Sequence, residues 1–127
     1  MSTESETILA RYKTVEKEAD KLGRLIGVRR LRPSEQAKVT GMTPELSGHD
    51  EVMTPDGNKV QISHRMPHVI AAAVCMINES PIPFPRNRGE LDAIFDKLDA
   101  EGLAAAGAAL GRLAEDSPVN GAEEAKN

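Results

Sequence analysis

Apolar positions fall into two spacings along this chain. Ile8, Tyr12, Val15, Ala19 and Leu22 recur at helical intervals. The same stretch also reads as a hairpin, with residues 12–18 as one strand, Ala19-Asp20-Lys21-Leu22-Gly23 as the turn and residues 24–31 as the return strand. Ile26 and Val28 alternate there, and Gly23 can take positive φ. The hairpin is favoured, because Leu25-Ile26-Gly27-Val28 is poor helix sequence. Arg32-Pro33-Ser34-Glu35 then predicts a short helix N-capped by Ser34, running through Val39 and ended by Gly41. Residues 44–49 read as loop. Thr54-Pro55-Asp56-Gly57 is a turn sequence, flanked by Val52 on one side and Val60 and Ile62 on the other, so residues 51–63 form a second hairpin or a long surface loop.

From Pro67 the pattern changes to i, i+3, i+4, with Val69, Ala72, Ala73, Met76 and Ile77 on one stripe and Ile70 and Val74 widening it. This predicts a deeply buried helix ending near Asn78. Pro81-Ile82-Pro83-Phe84-Pro85 is extended, a rigid connector between two helices with Phe84 packed inward. Asn87 or Arg88 leads into the stripe Leu91, Ile94, Phe95 and Leu98; Gly102 breaks or bends the chain; Leu103, Ala106, Gly107, Leu110 and Leu113 form a last stripe. The fold class is therefore α+β and predominantly α-helical. A short N-terminal β-hairpin is followed by a small helical bundle, with a second hairpin or loop inserted near 51–63. Residues 1–10 are expected to be a flexible N-terminus, 11–114 a single small domain and 115–127 a disordered tail.

Composition makes that domain a lean one. Leu, Ile, Val and Phe supply 27 of the 127 residues, and Tyr12, Phe84 and Phe95 are all the aromatics. Sixteen alanines fill part of the gap, but each buries little surface, so the expected core is small against the cost of ordering the chain. A protein of this kind gains from self-association or from a client. The net charge of −4 argues against a surface built to hold nucleic acid or an anionic membrane. No apolar run reaches the ~20 residues of a membrane span, and residues 1–10 lack the basic and apolar regions of a secretory signal.

Candidate chemistry is sparse. His64 and His68 are four apart, but Pro67 places His64 before the helix, and no Glu follows it as a zinc-protease motif requires. Cys75 is the one cysteine, so there is no internal disulfide; it sits in the apolar run 71–77 and reads as a small inert core residue. No Walker ending follows a glycine loop. No enzyme activity, metal or cofactor is expected. Arg24, Arg29, Arg30 and Arg32 form a basic cluster that would be the footprint of a phosphate-binding surface, although no aromatics for base stacking lie nearby.

Five segments in order carry a resemblance: residues 23–31, then Pro33-Ser34-Glu35-Gln36, then Ala71-Ala72-Ala73-Val74 with Ile77, then Pro81-Ile82-Pro83-Phe84-Pro85, then residues 98–105. In this order the chain resembles the small tail assembly chaperones of tailed phages and prophages over about two thirds of its length. Residues 48–65 depart from the pattern as an insertion, and Ser80 stands where a glycine turn is expected. The resemblance implies a non-enzymatic role in the cytoplasm of the bacterial host, binding the tape-measure protein or another tail protein and keeping it soluble. On composition, the expected contact surface is Leu103, Ala106, Leu110 and Leu113. Two other roles compete with it. One is a small phage regulator or inhibitor that binds a host protein or nucleic acid through the arginine cluster; the other is a minor structural tail protein.

Overall fold

A computed structural model describes residues 4–115 of the chain. The architecture is mixed α+β, with a four-stranded antiparallel sheet covered by helices and a separate two-stranded hairpin. Helix α1 (Glu4–Lys13) comes first, where a loose segment is expected as far as residue 10. It contributes no buried residue, and Ile8 and Leu9 stay about half exposed. The hairpin alternative holds for the rest of the ambiguous stretch: β1 (Val15–Ala19) and β2 (Leu25–Arg29) pair with Val15 opposite Arg29 and Ala19 opposite Leu25. Gly23 takes φ +86° in the connecting turn, and the Asp20 carboxylate accepts the N–H groups of Leu22 and Arg24.

Helix α2 (Pro33–Met42) begins two residues earlier and ends three residues later than expected. Its N-cap is Arg32, with Ser34 already inside the first turn. Glu35 makes the start, because its carboxylate accepts the Arg32 N–H at 2.9 Å. Gly41 does not end the helix; Thr43 does, with its hydroxyl donated to the Val39 carbonyl. A single 3-10 turn, Pro44–Leu46, leads to β3 (His49–Met53), which pairs with β4 (Lys59–Ser63) through the predicted turn. This second hairpin stands clear of the main sheet, and Val52, Val60 and Ile62 remain exposed on one face of it.

The largest departure is at 66–77. Helix α3 (Met66–Ala73) stops at Ala73, and Val74–Ile77 is strand β5, not helix. It lies beside β2, with Ile26 opposite Ile77 and Val28 opposite Val74, and Cys75 is the extra residue at the register shift. Two β-branched residues, Val74 and Ile77, fit this central position and are buried. Asn78 turns the chain at φ 55°, which asparagine tolerates, and β6 (Ser80–Pro81) completes the order β1-β2-β5-β6. The hairpin therefore grows into a sheet rather than leading into a helical bundle.

Helix α4 (Arg88–Glu115) covers that sheet in two parts, broken at Asp99 (φ 55°, ψ −167°), three residues before Gly102. The core lies between them: Ile26, Val28, Val74 and Ile77 from the sheet, Ala71, Ala72 and Ala73 from α3, and Leu91, Leu98, Ala105, Ala106, Ala109 and Leu113 from α4. Of the tail expected over 115–127, all but Glu115 lies outside the described residues.

Candidate functional site

The four arginines of the basic cluster are partly buried, apart from the exposed Arg32, and make contacts within the chain. Arg24 places Nε 2.7 Å from the Asp20 carboxylate and donates from Nη1 and Nη2 to the carbonyls of Lys97 and Leu98, both at 2.7 Å. These are the open carbonyls where the first part of α4 ends, so a guanidinium closes the break. Burial works to raise the Asp20 pKa, but the N–H groups of Arg24 and Leu22 and the guanidinium outweigh it and hold the carboxyl below its usual range. Arg29 is bidentate on Glu35, with Nη2 at 2.7 Å, a contact that keeps the Glu35 pKa below the usual glutamate value. Arg30 donates to the Leu113 carbonyl near the end of α4. Arg32 lies over the Tyr12 ring, 5.9 Å from its centroid. Each of the four charges has a partner in the same chain, and Arg32 is the one that remains exposed.

The last stripe likewise turns inward. Ala106 and Leu113 are buried in the core, and Leu103 and Leu110 pack half-buried against it. The expected contact surface Leu103, Ala106, Leu110 and Leu113 is thus mainly this chain's own interior. The reason is that α4 crosses the sheet with that face down, over β1 and β2.

An open apolar groove lies elsewhere, between the proline segment and the first part of α4. It has a volume of about 470 Å³ and is lined by Ile77, Ile82, Pro83, Phe84, Ala93 and Ile94. The three prolines hold their strap extended, as the sequence predicts, but it connects β6 to α4 rather than two helices. Pro85 is buried at its end, and Ile82 and Phe84 present partly exposed apolar surface to the groove. Three charged residues, Arg86, Glu90 and Lys97, complete the lining. Arg86 pairs with Glu90, which also accepts the Arg86 backbone N–H, and Lys97 lies seven residues beyond Glu90, so about 10 Å further along the helix. In the sequence, the signal for this site is the alternation itself: Ile82 and Phe84 sit between prolines that cannot coil into a helix.

The remaining polar groups do not converge on a reaction. His64 is bonded to Asp50 at 2.8 Å, while His68 stacks on Phe95 with ring centroids 4.6 Å apart. Burial first, and then the nearby Arg88, push the His68 pKa down, so the ring is neutral near pH 7. Cys75, half-buried at the bulge, has its thiol pKa raised by burial. Among the described residues, no three His, Cys, Asp or Glu side chains are placed to share a metal ion, and no helix is long and apolar enough to cross a membrane. Compared with protein-family models, with curated proteins and with solved structures, the chain matches none.

Proposed function

We propose that this protein is a non-enzymatic assembly factor that covers an amphipathic helix of a client, in the manner of a tail assembly chaperone acting on its tape-measure protein in the host cytoplasm. The observation that carries this reading is the groove: an open, mainly apolar channel with Arg86, Glu90 and Lys97 beside the apolar lining, the form that helix-in-groove recognition uses. A tape-measure chain exposes long amphipathic helices that aggregate unless covered, and one turn after another of such a helix offers apolar side chains to a channel of this shape. The ordered resemblance over residues 23–105 supports the same class of client. The lean core supports a molecule that completes its burial on a partner.

The test is co-expression with a long helix-rich reading frame encoded beside this one. The wild-type chain should keep that product soluble and co-purify with it. Ala93→Arg, which fills the groove from an exposed helical position, should abolish both while leaving the circular dichroism spectrum unchanged. If Ala93→Arg solubilises the product as well as wild type, the groove is not the client site.

A further inference from the structure

Helix α1 and the groove are complementary, and we infer that α1 of one copy docks in the groove of a second copy, giving a head-to-tail assembly. Glu4, Ile8 and Arg11 stand at i, i+4 and i+7, so they share one face of α1 in the order acid, apolar, base. On α4, Glu90, Ala93 and Lys97 stand at i, i+3 and i+7, with Ala93 and Lys97 exposed, and give the same order over the same length. Laid antiparallel, Glu4 meets Lys97, Arg11 lies beside the Arg86–Glu90 pair, and Ile8 with Leu9 fills the apolar floor between them. Lys97 has no ion pair among the described residues.

The sheet fixes which copy supplies the helix. Helix α1 reaches β1 through Thr14 alone, at one edge of the order β1-β2-β5-β6, whereas the groove borders β5 and the strap after β6 at the other. Edge strands three spacings apart are separated by roughly 14 Å, and the attachment at Val15 is at the end of the sheet away from Ile77. A one-residue link does not span that distance, so the arm fits a neighbour. Arm and groove at opposite edges make a heterologous contact, which closes as a ring or continues as a filament. The inference uses the groove of the client reading but needs no client, so the two fail separately.

Sedimentation velocity on the full chain tests it. The wild type should associate as its concentration rises from 5 µM toward about 500 µM, the range in which a modest apolar contact saturates. Ile8→Asp with Leu9→Asp disables the arm, and Ala93→Arg disables the groove; all three positions are exposed, and each variant should keep the wild-type circular dichroism spectrum and sediment as a monomer. Mixed together, the two variants should form one-to-one dimers and nothing larger, because each retains one working surface. Lys97→Glu should weaken association several-fold, and Glu4→Lys in the same chain should restore it. A wild type that stays monomeric throughout, self-association that survives both variants, or a mixture that remains monomeric would overturn the inference.

Discussion

Arg24 does at the scale of one residue what a larger core does elsewhere. It is held by Asp20 in a tight turn and closes two helix-end carbonyls more than seventy residues away. Arg30, Arg65, Arg88 and Arg112 act in the same manner on the carbonyls of Leu113, Thr43, Met42 and Lys17. Each removes an unsatisfied acceptor and complements the negative end of a helix or the edge of a strand. Arg24→Ala should therefore lower stability by about 2 kcal/mol, the worth of hydrogen bonds to a charged group, read from urea unfolding. Arg24→Lys should recover little, since an ammonium cannot bridge the two carbonyls while holding Asp20. Acid sensitivity follows from the same pairs. Glu35 has a folded pKa below its unfolded one, first because of its bonds to Arg29, so its contribution is present above the ordinary glutamate pKa and is lost as pH falls through the folded value. Unfolding midpoints should drop between roughly pH 5 and pH 3, and Glu35→Gln should flatten that part of the profile. The arginines were legible in sequence as a cluster but not as caps, because their acceptors are backbone carbonyls, which no residue type announces.

At the scale of elements, local chemistry was readable and non-local pairing was not. Gly23 and the Thr54-Pro55-Asp56-Gly57 turn place both hairpins correctly, since a turn is decided by the residues in it. Val74 to Ile77 satisfies a helical stripe as well as a strand, and what decides is β2 alongside, which lies almost fifty residues away. The break in α4 shows the same limit. Gly102 marks it in sequence, yet the chain bends at Asp99, where Arg24 supplies a cap. Gly102 serves a different purpose: a Cβ there would lie 3.0 Å from Leu98 Cβ and 3.1 Å from Arg24 Nη2. Gly102→Ala should therefore destabilise by about 1–2 kcal/mol through overpacking, against its better helix propensity. Gly111→Ala, with open space around it, should stabilise by up to ~1 kcal/mol. Thermal unfolding of the two variants separates packing from propensity.

For the whole molecule, the distribution of apolar surface decides the functional reading. The stripe that composition marks for a partner is the face of α4 turned toward the sheet, and the exposed apolar surface lies instead on α1, on both hairpins and in the groove beneath the proline strap. That strap was visible in the sequence as a rigid segment; its role as a groove wall needed the position of α4. The account rests on the claim that an amphipathic helix lands in this groove, and isoleucine methyl spectra of the intact protein test it directly. Ile77, Ile82 and Ile94 line the groove, Ile8 is on the arm, and Ile26, Ile62 and Ile70 lie outside both. As protein concentration rises, the methyl signals of Ile8, Ile77, Ile82 and Ile94 should shift together along one binding curve while the other three stay fixed. Shifts centred on Ile62, or no change at the groove methyls while the protein associates, would contradict it.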